Sequence, residues 1–351
     1  MKGEKMKIKS VISFISISFF VVIIILGHAI RPAQAETTLF EKSRTESFAM
    51  LGNVPTPPPE FRMGVVLVTL ANPYWVSMKN GYENAAKEFG ITIDIQAAPQ
   101  ENSTTAQLNI LENMVAKGYD AIGAHTITAH NLIPGLVKAA QKGIITVAST
   151  RVDLKAAREA GAIPIALSLV DYYAQGKLGA EYIARELAKN GGGKVAIIEG
   201  LPAAPQSWGR RDGAREGFKS EPSIEIVSEQ PGNWDRNKAY EVTSGLLQAH
   251  PDLKGIMCAN DVMALAALEA IDSAGKTGQV LVGGIDMIGQ AREAISQGRL
   301  TCSVAFSPFV IGEIVTRTAI AAYMGKKIPE DLRVISVLAN KENIHLLKDW
   351  K

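Results

Sequence analysis

Cysteine is scarce: the chain has two, Cys258 and Cys302, among 351 residues. Neither lies near the N-terminus, which excludes a lipid-modified N-terminal cysteine. Both stand in apolar, strand-like runs that read as sheet interior, so two buried free thiols are expected in place of a disulfide. Catalytic signatures are missing as well, with no Gly-x-Ser-x-Gly elbow, no Walker-type phosphate loop and no His-Glu-x-x-His pair. Gly191-Gly192-Gly193 precedes an apolar run instead of following one, so it reads as a turn and not as a dinucleotide-binding loop. His125 and His130 are five positions apart with no thiolate near them, a poor spacing for two metal ligands. The expectation is a protein with no catalytic residue, no metal and no cofactor.

What is present begins with an export signal. Lys2, Lys5, Lys7 and Lys9 precede an apolar run over 11–26, and Ala33-Gln34-Ala35 follows, the three-part layout of a secretory signal. The run is interrupted by Ser13, Ser16 and Ser18 and is short for a spanning helix, so residues 1–35 are expected to be a cleaved signal peptide and the mature protein periplasmic. Cleavage takes the formal charge from +2 to −2, because five basic side chains and one acidic one leave with the signal. A weakly acidic protein is a poor partner for nucleic acid.

Hydrophobic residues make up 47% of the chain, enough for two cored domains at this length. Residues 36–61, with Pro55, Pro57, Pro58 and Pro59, read as an extended, poorly packed leader. From Met63 onward, apolar runs alternate with amphipathic stretches stopped by glycines such as Gly90, Gly118 and Gly143. Continuous apolar strands between helices imply parallel sheets covered on both faces. The predicted fold is α/β: two doubly wound, Rossmann-like lobes joined by hinge crossovers near 168–171, 305–307 and 334–338. The N-terminal lobe is expected over 62–169 plus 307–334, and the C-terminal lobe over 170–306 plus 335–351.

Open α/β sheets bind ligands beyond the carboxyl ends of their strands, so the residues at strand exits carry the functional information. The first strand runs into Asn72, Tyr74 and Trp75; later exits present Trp234, Asn260 and Asp286, with Asp261 expected to cap its helix. Arg210 and Arg211 open a helix after another exit. A ring lies flat on the C–H face of a sugar, while amides, carboxylates and guanidinium forks satisfy hydroxyls that both donate and accept. Two facing sheets would share one cleft with this lining.

Asn72-Pro73-Tyr74-Trp75, the stretch Val195 to Gly200, Gln230-Pro231-Gly232-Asn233-Trp234-Asp235-Arg236, Cys258-Ala259-Asn260-Asp261 and Ala274-Gly275-Lys276-Thr277-Gly278 occur in this order. Together they resemble the ribose- and D-allose-binding branch of periplasmic sugar-binding proteins, a type I solute-binding fold shared with the ligand domains of LacI-like repressors, over about 63–338. The resemblance implies sugar contacts from Asn72, Trp75, Arg211 or Arg210, Trp234, Asn260 and Asp286. It also implies delivery to an inner-membrane ABC permease, with a chemoreceptor or sensor kinase as the alternative client, and a monomer. Five positions depart from the family's pattern: Ser149-Thr150 replaces an acidic residue and its charged partner, Val68 and His125 stand where other polar groups are usual, and Phe306 replaces a glutamine. Those departures predict a less polar pocket, suited to a deoxysugar, a cyclic polyol or a nucleoside-like ligand. A repressor is excluded by the leader, which holds a signal and prolines where a helix-turn-helix would stand. A glycoside hydrolase would need two carboxylates facing each other across the cleft, and Asp286 alone is placed there.

Overall fold

The computed structural model describes residues 38–149, 152–329 and 332–351, with the backbone alone at 149. The expected signal segment 1–35 lies outside these residues, as does Thr150.

The described chain opens with helix α1 (Leu39–Leu51), capped by the Thr38 side chain, which accepts from the Glu41 N–H. This is a correction to the reading of 36–61 as extended chain. The helix exists because it has something to pack on: Phe40 is buried at the rings of Phe309 and Trp350, and Arg44 makes a two-pronged bond to Glu313. Short helices gain most of their stability from such contacts and little from propensity, so the sequence pattern alone does not announce it.

Beyond the prolines come β1 (Arg62–Thr69), α2 (Pro73–Phe89), β2 (Thr92–Ala98), α3 (Thr104–Lys117), β3 (Ala121–Ala124), α4 (Ile133–Gln141), β4 (Ile145–Ser149), α5 (Leu154–Glu159) and β5 (Ile165–Leu167). The second series is α6 (Tyr172–Ala188), β6 (Gly193–Glu199), α7 (Pro205–Lys219), β7 (Ile224–Pro231), α8 (Arg236–Ala249), β8 (Leu253–Cys258), α9 (Asp261–Ser273), β9 (Leu281–Asp286), α10 (Gly289–Ser296) and β10 (Cys302–Ala305). The chain ends with α11 (Pro308–Tyr323), β11 (Val337–Asn340) and a 3-10 turn at Ile344–Leu347.

The strands form two sheets, ordered β2-β1-β3-β4-β5 and β11-β10-β9-β8-β6-β7. Every pairing is parallel except β10 with β11, so the expected parallel architecture holds apart from one antiparallel edge strand. Strands β3 and β10 are buried along their whole length, which requires helices on both faces. The first sheet has α3 and α4 on one face and α2 with α11 on the other. The chain passes between the sheets three times, after β5, after β10 and before β11, and two of these passages are joined by the Val334 N–H donating to the Leu169 carbonyl. Cys258 and Cys302 are free and buried, and burial raises both thiols.

Helices α6 and α7 cross unusually closely because both sides carry glycine. A Cβ on Gly176 would fall 1.9 Å from the Arg210 carbonyl oxygen, and one on Gly213 2.0 Å from that of Tyr173. This contact sets where the first turns of α7 stand relative to the second sheet.

Candidate functional site

The exits of both sheets converge on one narrow cleft, lined by Asn72, Tyr74, Trp75, Glu101, Gln206, Arg210, Trp234, Asn260 and Asp286. A wider mouth between the two sets of loops shares Asn72, Glu101 and Trp234 with it. Trp75 comes from the first sheet and Trp234 from the second, so the two indoles expected to flank a ligand do border a common space.

On the first side, β1 ends in a register shift opposite β2 and turns sharply, the Thr69 hydroxyl accepting from the Ala71 N–H and donating to the Pro99 carbonyl. Asn72 then caps α2, its Oδ1 accepting from the Tyr74 N–H at 3.0 Å. Its Nδ2 donates to Glu101 Oε1 at 3.0 Å, and Trp75 Nε1 donates to the same oxygen at 3.3 Å. Behind them, buried Gln107 donates to the carbonyls of Leu67 and His125 and accepts from the Ile127 N–H, tying the exits of β1 and β3 together.

On the second side the backbone is strained. Asn233 and Trp234 have φ of 58° and 63°, and Asp286 and Met287 have 118° and 59°. Left-handed non-glycine residues cost about 1–3 kcal/mol each and concentrate where a fold is shaped for a ligand. The Asp286–Met287 turn is held by Asp261, which accepts from the Ser303 hydroxyl at 2.8 Å and from the Ile288 N–H at 3.0 Å, while the Met287 N–H donates to that same hydroxyl. Asp261 therefore anchors the turn, and the residue that caps α9 is Asn260, whose Oδ1 accepts from the Met263 N–H. Burial, and then the Asp286 carboxylate nearby, raise Asp261 well above the usual carboxylate range.

Arg210 is the charged centre. Its guanidinium donates to Gln175 Oε1 at 3.1 Å, to the Ala259 carbonyl at 2.7 Å and to Asp286 Oδ1 at 3.3 Å, which employs three of its five N–H groups. It also lies against the rings of Phe306, Tyr172 and Trp234. A buried, prepositioned fork of this kind suits ring and hydroxyl oxygens.

Of the residues expected at the site, Asn72, Tyr74, Trp75, Arg210, Trp234, Asn260 and Asp286 are brought together in the lining. Arg211 is not: it turns away to Glu199 and Asp212, because neighbours on a helix point about 100° apart. His125 and Phe306 stand one layer behind. His125 Nε2 meets the Tyr82 hydroxyl at 2.6 Å with its ring against Trp75, and Phe306 is fully buried against Tyr74 and Arg210. The Ser149 side chain and Thr150 lie outside the described residues. Val68 is buried and, like Phe306, is not among the residues lining the cleft. Glu101 and Gln206 are additions. Glu101 follows the exit of β2, where the strand-exit rule would have found it; Gln206, at the start of α7, carries no local signal.

Two doubly wound sheets whose exits meet in one polar, indole-lined cleft define a two-lobed solute-binding protein. The chain belongs to the periplasmic binding protein domain family, which it matches over residues 63–327. It is 40% identical over 269 residues to the D-allose-binding periplasmic protein of Escherichia coli, covering 76% of this chain and 86% of that one. It is 33% identical over 273 residues to the ribose import binding protein RbsB of Bacillus subtilis, covering 78% and 85%. Among solved structures, an ABC transporter periplasmic solute binding protein from Actinobacillus succinogenes with bound D-allose superposes with a TM-score of 0.77 at 34% identity, covering 82% of this chain and 99% of the other. One from Agrobacterium vitis with bound α-D-tagatopyranose gives 0.73 at 26%, covering 83% and 97%.

Proposed function

We propose that this protein captures a single neutral sugar in the cleft and delivers it to an ABC permease in the inner membrane, after export to the periplasm and removal of residues 1–35. It acts as a monomeric receptor and not as an enzyme. The observation that carries this reading is the lining itself: indoles from both sheets, with amides, carboxylates and one guanidinium placed around a common space. Each hydroxyl of a buried sugar needs both a donor and an acceptor, and this set provides them at several points. A ligand touching both lobes favours the closed arrangement by its differential affinity, and the lobes, 62–169 plus 307–334 and 170–306 plus 335–351, swing about the three chain passages. The relatives' sugars supply the candidates, D-allose first and D-ribose second.

Calorimetric titration of the mature protein with D-allose, D-ribose, D-tagatose, D-fucose and myo-inositol tests the proposal. Saturable one-to-one binding of at least one of them, with a smaller radius of gyration in solution scattering when bound, is the expected result. A protein that binds none of the five is not the receptor described here.

A further inference from the structure

Most polar side chains of the cleft make at least one hydrogen bond within the protein. Asn72 bonds Tyr74 and Glu101, Trp75 bonds Glu101, Asn260 caps α9, and Arg210 is held by three acceptors. Gln206 differs. It lines the cleft with only 6% of its surface exposed, yet its Oε1 is enclosed and has no hydrogen-bond partner among the described residues. Native proteins satisfy buried polar atoms almost without exception, so an orphan on a residue that lines a binding cleft marks the place of a missing ligand atom. Reversing the amide would put Nε2 at the same point, so the unmet bond belongs to the position whichever way the amide is assigned. A hydroxyl, which donates and accepts, meets either orientation.

The position is also rigid. Pro205 fixes the first helical residue of α7, and the Gly176 and Gly213 contacts seat that helix against α6 without slack. Gln206 is therefore prepositioned, and a group held in this way discriminates by leaving itself unpaired when the wrong ligand enters.

Resting on the sugar capture proposed above, we propose that Gln206 is a specificity-determining residue: it bonds one particular hydroxyl of the bound sugar and rejects sugars lacking a hydroxyl there. The test titrates wild type and Gln206→Met, which keeps the volume and removes the amide, with the tightest-binding sugar of the panel and each of its monodeoxy derivatives. Thermal unfolding of both proteins is followed in parallel, and Gln206→Ala replaces the Met variant if that fails to fold. The expected result is a loss of roughly 5- to 150-fold for the parent sugar, together with one monodeoxy sugar that binds wild type and variant equally. Equal affinity of both proteins for the parent sugar overturns the role of Gln206 and leaves sugar capture standing. A loss of the same factor for every derivative overturns it too, because that is the mark of a purely structural residue. Absence of binding to any sugar by the wild type removes the sugar reading and this proposal with it.

Discussion

Replacing Gly200 with alanine asks whether the Trp234 indole belongs to the ligand's wall. A Cβ at Gly200 would lie 1.9 Å from Trp234 Cζ2, 2.1 Å from Cη2 and 2.3 Å from Cε2, all atoms of the six-membered ring. Carbon atoms need about 3.5 Å, so the ring must retreat by about 1.5 Å. Its backbone cannot easily give way, since Asn233 and Trp234 already occupy left-handed conformations in a turn closed by the Asp235 N–H on the Gly232 carbonyl. The open side is the cleft, which Trp234 lines, so the ring moves into the volume a sugar would occupy. Overpacking of this kind costs about 1–3 kcal/mol and a lost ring contact about 0.5–1.5 kcal/mol. A combined loss of about 2–3 kcal/mol corresponds to roughly 30- to 150-fold weaker binding. Calorimetric titration with the tightest-binding sugar measures the loss, and differential scanning fluorimetry reports whether the fold survives. A variant that folds and binds within twofold of wild type would show that the indole does not touch the sugar, and the geometric argument would fall.

Two further outcomes concern stability. Glu313 is wholly buried and bonded by both Arg44 and Asn84, so Arg44→Ala leaves an interior carboxylate without its cation; a loss of about 2–3 kcal/mol in urea unfolding is expected, and an unchanged midpoint would mean that the Arg44–Glu313 pair contributes nothing to stability. For Asp261, the raised folded-state value means the native protein keeps a proton that the unfolded chain releases above about pH 4. This group's contribution to stability therefore falls as pH rises from the unfolded value toward the folded one. Asp261→Asn, which mimics the protonated acid, should flatten that decline in unfolding measured from pH 4 to 8; parallel curves for both proteins would contradict the assignment.

The alternation of apolar runs with glycine-stopped helices, read along the chain, determined the two covered sheets, because strand and helix periods are local properties. The polar residues at strand exits were legible for the same reason: Asn72, Asn260 and Asp286 stand at or just past the ends of apolar runs, and Trp234 follows the turn after β7. Only the tertiary structure decided between Arg210 and Arg211, since adjacent helical residues differ by a rotation that the close α6–α7 contact orients. It also decided that His125 and Phe306 support the lining from behind, that Asp261 anchors a turn instead of capping a helix, and that 39–51 is helical. Each of these depends on a partner distant in sequence: Tyr82 for His125, Ser303 for Asp261 and Glu313 for Arg44. Gln206 is the sharpest case, because a glutamine at a helix start looks solvated in sequence, and only the tertiary packing leaves its Oε1 enclosed with no partner among the described residues.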